Sequence, residues 1–265
     1  PAQATARLGL TFQECPECGS CYDTAAQSCA QEGSGLVAVR LPRQLVGRYR
    51  LEQRRGRGGM GAVYEATDLA LERRVAVKVV REDLVGSVEA AERFRREARA
   101  VAGFAHPNVV TIYDFGLAND SRAFLVMELL DGTTLREALL QEKALAPQRT
   151  LEILRGVCAA VESAHRRKLI HRDLKPENIF LARQESGEVA KVLDFGIAKF
   201  LPSAAQDTTD TAGTVVLGTL PYTSPEQLRG EPVQAFWDLW ALAVVTYEML
   251  TGARPFAGSG PAEWH

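Results

Sequence analysis

The densest chemistry in this sequence sits in two short strings. His171-Arg172-Asp173-Leu174-Lys175-Pro176-Glu177-Asn178 brings together a carboxylate, an ammonium and a carboxamide, and Asp194-Phe195-Gly196 follows after a short predicted hairpin. Asp173 can accept the proton of a hydroxyl nucleophile. Asn178 and Asp194 can hold Mg²⁺ against a triphosphate, and Lys175 can neutralise charge on a phosphoryl group in transit. Upstream, Gly56-Arg57-Gly58-Gly59-Met60-Gly61-Ala62-Val63 fits G-x-G-x-x-G-x-V, a pattern that lets the backbone approach phosphates and present its N–H groups. Alone it fits a plain glycine hairpin or a dinucleotide-binding turn as well. The dinucleotide turn needs a helix directly after the glycines, and residues 62–66 read as strand. Lys78, in V-A-V-K on the next strand, can reach the α- and β-phosphates of a nucleotide, with Glu97 in the following helix to hold it. A single lysine or glutamate is ordinarily a solvated surface charge. The ordered succession of strings weighs against that reading here.

A second cluster stands apart. Cys15, Cys18, Cys21 and Cys29 crowd the first thirty residues, and Cys158 lies alone in an apolar, helical stretch. Cys15-Pro16-Glu17-Cys18 is a turn that aims two thiolates at one metal, and Cys29 supplies a third. A structural zinc takes four ligands, so Cys21 or Glu32 would complete the set. The second pair lacks C-x-x-C spacing, and free thiols or an iron–sulfur site remain as alternatives. So short a segment has few apolar residues, and its folding is expected to depend on the metal.

These residues need a scaffold. Residues 1–32 form the cysteine-rich leader, and 33–45 read as a Gly- and Pro-containing linker. Residues 50–64 read as strand, glycine turn, strand, and 74–80 as a β-branched strand. A charged helix over 89–101 follows, then strands over 109–115 and 123–128. Beyond Thr133 the signal turns helical. Residues 150–165 keep Leu151, Ile153, Leu154, Val157 and Val161 on one apolar face, and 239–250 are apolar nearly all round, as a helix covered on every side would be. No internal repeat is evident.

Composition bounds the rest. With 265 residues, 46% of them hydrophobic and 24% charged, the chain has room for one large domain or an ordinary one plus a small module. A formal charge of -2 argues against broad nucleic-acid binding, which needs a basic surface. No run of about twenty apolar residues could cross a bilayer, and no signal-peptide pattern opens the chain. Tight C-x-x-C spacing in a cysteine-poor chain fits a reducing compartment, so the cytoplasm is the expected location. The first residue is Pro1 rather than Met, so the natural N-terminus is expected to lie upstream.

From residue 46 to its end the chain resembles a protein kinase, specifically the bacterial eukaryotic-like serine/threonine kinases. The motifs above carry the resemblance, as do Lys175 and the loop Leu217-Gly218-Thr219-Leu220-Pro221-Tyr222-Thr223-Ser224-Pro225-Glu226-Gln227. It implies an α+β, bilobal fold: a β-rich small lobe over 46–130, a mainly helical large lobe over 131–265, and ATP between them. It implies Mg²⁺-dependent transfer of the γ-phosphoryl group to serine or threonine hydroxyls of proteins. A second copy of the chain, for autophosphorylation, is a candidate partner. Met127 would be the gatekeeper behind the adenine, Glu128 and Leu130 the hinge, and Val63 and Ala76 the residues above the purine. Val101, Ile112, His171 and Phe195 would form an apolar spine. Arg172 would pair with a phosphothreonine, with Thr211 and Thr214 favoured over Thr208 and Thr209, while Thr219 would stay unmodified beside Asp173 and Lys175. Glu226 would be held by an arginine beyond His265, together with further helices of the large lobe. The leader resembles short zinc ribbons that precede some bacterial kinases. The chain departs from the family at Gln234-Ala235-Phe236-Trp237, where polar residues are usual ahead of Asp238-Leu239-Trp240, and at Ala243. Two other classes compete: a pseudokinase, which the intact Lys78, Glu97, Asp173, Asn178 and Asp194 disfavour, and a zinc-dependent interaction scaffold.

Overall fold

The computed structural model describes residues 12–82, 88–118, 122–185, 187–195 and 220–256; in helix α1 (Val88–Ala102) residues 88–91, 93, 97 and 100 are described by their backbone alone. Thr208, Thr209, Thr211, Thr214, Thr219 and Gly196 lie outside the described residues, as does the Glu97 side chain. The chain separates into two compact units, residues 1–95 with 112–129 and residues 96–111 with 130–265.

In the first unit, β1 (Phe12–Glu14), β2 (Cys21–Tyr22) and β3 (Val37–Val39) make a small antiparallel sheet in the order β2-β1-β3. A six-stranded antiparallel sheet follows, built from β4 (Gln44–Leu45), β5 (Tyr49–Gly58), β6 (Gly61–Asp68), β7 (Arg73–Val80), β8 (Ile112–Leu117) and β9 (Ala123–Met127), in the order β4-β5-β6-β7-β9-β8. The β-branched run of β7 suits its place inside the sheet, where side chains are buried on both faces.

Side chains alternate across a strand, so this sheet has two distinct faces. Tyr64, Ala66, Val75, Val77, Val79, Phe124 and Val126 lie on one of them. They share a single core with Phe12, Cys21, Leu41, Leu45, Tyr49 and Leu51. Phe12 meets Tyr64 edge-on at 6.0 Å, and Tyr49 meets Phe124 at 6.1 Å. The leader therefore does not depend on its own few apolar residues. Burial of Phe12 against the larger sheet contributes about 2 kcal/mol. Residues 33–45 are likewise no open linker: they carry β3, which closes the small sheet, and β4, which pairs with β5. Composition hid this because turn formers flank two very short strands.

In the second unit, β10 (Gly132–Thr134) pairs with β11 (Ile179–Gln184), which pairs with β12 (Gly187–Val192). Helix α2 (Leu135–Glu142) starts at a capping box of Thr134 and Glu137. Helix α3 (Pro147–Arg166) begins with proline at a position where the missing N–H costs nothing, and buries Ile153, Val157, Ala160, Val161 and Ala164 at helical spacing. Leu151, expected on that face, falls outside the stripe and is exposed. Helix α4 (Pro225–Leu228) is a single turn capped by Ser224. Helix α5 (Phe236–Thr251) ends at Gly252, whose φ of 72° favours glycine. On α5 Leu242, Val244, Val245 and Met249 are buried, while Leu239 is 56% and Leu250 46% exposed, on a helix whose further cover the resemblance assigns to helices beyond His265. Trp237 is buried and Trp240 stacks on Phe256 at 5.6 Å, so the unusual aromatics belong to the packing of this helix; nothing in the structure explains why they replace polar residues.

A buried ion-pair cluster joins α2 to α5. Arg136 donates to Glu177 (2.8 Å), Glu248 (2.8 Å) and the Tyr222 hydroxyl, and Tyr222 donates to Glu248. Burial alone would raise the Glu248 carboxyl, but the bonds from Arg136 and Tyr222 outweigh it and hold the group below its ordinary range. Arg136→Met should cost about 3 kcal/mol near neutral pH, because it leaves the buried Glu248 carboxylate with only the Tyr222 hydroxyl and the more distant Arg254, 3.7 Å away. The sign follows from linkage. A depressed carboxyl stabilises the fold above its unfolded pKa, and that contribution is lost as pH falls through the folded value. In urea unfolding the gap between wild type and variant should shrink on acidification; a gap independent of pH would refute the assignment.

Candidate active site

In the first unit the glycine string is the β5–β6 hairpin. Gly58 pairs with Gly61, leaving Gly59 and Met60 at the turn. Gly61 has φ +149°, and a Cβ there would stand 2.0 Å from the Val79 carbonyl oxygen, so this position admits no other residue without displacing β7. Gly56 and Gly58 differ: a Cβ on either would meet nothing within 4 Å. Among the described residues nothing packs against these two positions, which leaves room for a ligand beside the hairpin.

Lys78 is buried on β7, opposite Val63 of β6 and Leu125 of β9. Ala76 stands opposite Glu65 and Met127. Directly opposed residues share a face, so Val63, Ala76, Lys78 and Met127 occupy the same one, away from the core that includes Phe12. Glu65, on that face too, is held by Arg55 and Arg74, which bring its carboxyl down against the opposing effect of burial. Glu128 follows β9 in this unit, and Leu130 begins the next stretch of the other.

In the second unit the catalytic string forms a rigid loop ending in a 3-10 turn, Pro176–Asn178. Lys175 Nζ lies 2.8 and 3.0 Å from the two oxygens of Asp173. Asn178 Nδ2 donates to the Asp173 backbone carbonyl (2.7 Å) and carboxylate (3.1 Å). The Leu193 N–H donates to the Asn178 carbonyl, which ties the loop to the strand leading to Asp194. His171 Nε2 donates to the Leu193 carbonyl (2.7 Å) and its Nδ1 accepts from the Asp173 N–H (3.3 Å), a partner set that fixes the tautomer. Its ring meets Phe195 at 4.8 Å, and Phe195 meets Phe104 at 5.6 Å. Two residues of the site have left-handed backbone, Arg172 (φ 68°) and Asp194 (φ 57°), a strain that persists only where the surroundings enforce it.

What enforces it at Arg172 is a residue whose role sequence reasoning missed. Asp238, fully buried on α5, accepts the backbone N–H groups of His171 and Arg172, both at 2.8 Å, and the ring of His165 at 2.7 Å. Gln227 adds a bond to the Arg172 carbonyl at 3.0 Å. The signal was present in the string Asp238-Leu239-Trp240, but nothing local says what an aspartate there would hold.

The cysteines divide. Cys15, Cys18 and Cys29 have sulfurs within 4.8 Å of one another, and Cys18 and Cys29 stand 3.6 Å apart, near the roughly 3.8 Å edge of a tetrahedron with zinc–sulfur bonds of about 2.3 Å. Cys21 does not join them. It points into the hydrophobic core, and burial pushes its thiol up to about 12. The Tyr22 hydroxyl, 3.2 Å away, outweighs burial at Cys29 and with nearby N–H groups brings that thiol down to about 6. The surrounding backbone also reveals an internal repeat. Cys15-Pro16-Glu17-Cys18-Gly19-Ser20 and Cys29-Ala30-Gln31-Glu32-Gly33-Ser34 make the same two bonds: the first cysteine's N–H to the serine carbonyl (2.9 Å in each) and the glycine N–H to the cysteine carbonyl (3.0 and 2.9 Å). Both glycines have positive φ, 74° and 69°. Glu32 thus holds the place in the second knuckle that Cys18 holds in the first, and its N–H lies 3.4 Å from Cys29 Sγ.

An antiparallel sheet with a glycine hairpin, and a second unit carrying H-R-D-L-K-P-E-N ahead of an aspartate and phenylalanine, define a kinase of the eukaryotic-like class. The protein kinase domain family matches residues 49–264, and the chain belongs to that family. It is 46% identical over 223 residues to a probable serine/threonine-protein kinase of Streptomyces coelicolor, covering 83% of this chain and 32% of that protein. It is 44% identical over 223 residues to the serine/threonine-protein kinase PknB of Mycolicibacterium smegmatis (83% and 35%) and 43% identical over 217 residues to the serine/threonine-protein kinase pkn2 of Myxococcus xanthus (82% and 26%). The chain spans between about a quarter and about a third of the length of these curated relatives. Protein kinases use ATP and Mg²⁺ and act on proteins. The α+β fold, a β-sheet small lobe and a helical large lobe, is the one the resemblance implied. Among the described residues no helix is long and apolar enough to cross a membrane.

The two kinds of glycine can be told apart by experiment. Gly61→Ala should lower stability by about 2–3 kcal/mol through its forbidden φ and the clash with β7. Gly58→Ala should change it by less than about 1 kcal/mol. Thermal unfolding of the two variants checks this, and equal losses would contradict the hairpin geometry.

Proposed function

We propose that the protein is a serine/threonine protein kinase, transferring the γ-phosphoryl group of ATP to hydroxyls of protein substrates in bacterial signalling. The observation that carries the proposal is the Asp173 carboxylate, bracketed by Lys175 and Asn178 in a loop anchored by Asp238. Asp173 accepts the proton of the serine or threonine hydroxyl as the oxygen attacks. Lys175 offsets negative charge on the group in transfer, and its contact with Asp173 keeps the base oriented. Asn178 and Asp194 are the residues that would hold Mg²⁺, which neutralises the triphosphate when bound. An amide oxygen and a carboxylate are donors that fit this hard cation. Lys78 and the open Gly56 and Gly58 serve the phosphates, with Glu97 as the partner of Lys78. Val63, Ala76, Met127, Glu128 and Leu130 serve the adenine. Thr211 and Thr214, phosphorylated by a second copy of the chain, would answer to Arg172. A cytoplasmic location fits free thiols in a C-x-x-C turn.

The leader is proposed to bind one structural zinc through Cys15, Cys18 and Cys29. Glu32, exposed and outside that three-cysteine cluster, is assigned the fourth place by its position in the repeated knuckle alone, and its side chain would turn inward to reach the metal.

Asp173→Asn should reduce kcat for a serine-containing peptide by about 10²–10⁴ and leave Mg²⁺·ATP affinity nearly unchanged, because a general base acts in the transition state. Phosphate transfer by the variant at the wild-type rate would refute the assignment.

A further inference from the structure

The metal knuckle and the glycine hairpin are adjacent in the fold although some forty residues separate them in sequence. Strand β5 pairs with β6 regularly except at two register shifts, between Leu51 and Gln53 and between Arg54 and Gly56. The two residues between the shifts, Gln53 and Arg54, stand opposite Glu65 and Tyr64 of β6 and also bond the first knuckle. The Arg54 N–H donates to the Gly19 carbonyl at 2.7 Å, Gln53 Nε2 donates to the Cys18 carbonyl at 2.8 Å, and Ser20 forms an isolated antiparallel bridge with Gln53. Arg54 Nε donates to Glu14 at 2.8 Å, and its guanidinium reaches the Pro16 carbonyl at 3.4 Å. The approach is so close that a Cβ on Gly19 would stand 2.5 Å from the Arg54 carbonyl oxygen. Gly56, the first glycine of the hairpin, comes two residues later.

We propose that the metal-loaded knuckle is a brace for the strand that leads into the glycine hairpin, so that zinc occupancy of the leader sets the affinity of the kinase for its nucleotide. The inference rests on the zinc reading given above. The knuckle carbonyls that bond Gln53 and Arg54 belong to Cys18, a metal ligand, and to Gly19, its neighbour. A tight loop of this composition has little apolar surface of its own, and the metal is what fixes the positions of those carbonyls. Beyond the short β4, which reaches only Tyr49 and Arg50, the knuckle supplies hydrogen bonds to β5 between its two register shifts, in addition to the pairing with β6. Removing the metal frees the knuckle, takes its hydrogen bonds from Gln53 and Arg54 while their pairing with β6 stays, and lets the hairpin fluctuate at the point where it must hold phosphates. Nucleotide and metal are then coupled reciprocally, as two ligands of one ordered state.

The test measures zinc by elemental analysis, binding of Mg²⁺·AMP-PNP by calorimetry, and amide exchange of residues 52–58. It compares the zinc-loaded chain, the chain stripped by chelator and returned to Mg²⁺, and the double variant Gln53→Ala, Arg54→Ala, which keeps every proposed metal ligand. The expected result is one zinc per chain, nucleotide binding weakened by about fivefold or more on stripping, and faster exchange at residues 52–58. The double variant loses the Gln53 and Arg54 side-chain bonds but keeps the Arg54 N–H bond to Gly19, so it should retain its zinc and bind the nucleotide with an affinity between those of the loaded and the stripped wild type. One zinc bound with nucleotide affinity and exchange the same in all three samples would overturn the brace while leaving the zinc site standing. No zinc at all would overturn both. If stripping unfolds the chain outright, the double variant decides alone: wild-type nucleotide affinity in it contradicts the proposal.

Discussion

One buried carboxylate organises the chemistry of the second unit. Asp238 has no solvent exposure and accepts two consecutive backbone N–H groups and a histidine ring. A carboxylate taken from water is costly unless its lone pairs are satisfied, and here three donors satisfy them. The bonds run in both directions. The N–H groups of His171 and Arg172 cannot pair within a strand or helix, because Arg172 has left-handed backbone, and Asp238 is what allows that conformation to persist. The turn at Arg172 in turn aims the following residue, Asp173, at Lys175 and Asn178. Helix α5 thus acts on the loop through the Asp238 side chain, whose neighbour Trp237 is itself buried.

The first unit follows a different logic, in which one sheet serves two purposes by its two faces. Val63, Ala76, Lys78 and Met127 share one face, while Tyr64, Val77, Val79 and Val126 bury the other against the leader. The family match begins at Tyr49, so Phe12, Cys21, Leu41 and Leu45 lie outside it, yet they complete the core of the same sheet. The leader is thereby part of the packing of the strands that carry the glycine hairpin and Lys78 rather than an appendage. Buried apolar area rewards this sharing, since neither the small sheet nor the exposed back of β6 and β7 could cover itself.

What could be read in the sequence follows from how local the determinants are. The loop from His171 to Asn178 was legible because acid, base and amide stand in one string whose chemistry is self-explanatory. The glycine hairpin was legible because the spaced glycines stand between two stretches that read as strand, with a β-branched strand next in the chain. The role of Asp238 was not: it acts on residues 66 and 67 positions away, and no local pattern announces such a bond. Cys21 misled for a related reason. Its spacing from Cys18 is that of a second thiol pair, and only its burial among Phe12, Leu41 and Tyr64 shows that it packs as a hydrophobe. The knuckle repeat was visible in the six-residue strings themselves, but the replacement of a cysteine by Glu32 broke the C-x-x-C signature by which such repeats are found. The strands in residues 33–45 exist through pairing with β1 and β5, a non-local cause that composition does not carry.

The central claim is that Asp238 positions the catalytic loop without touching the reaction. Steady-state kinetics of Asp238→Asn, with folding verified by thermal unfolding, tests it most directly. The substitution keeps size and one acceptor oxygen but places an NH₂ against a donor, so the loop loses part of its anchor. The account predicts that kcat falls by about 10²-fold while KM for ATP changes by no more than about twofold, since misplacement of the base raises the barrier without removing nucleotide contacts. A folded variant with wild-type kcat would contradict it.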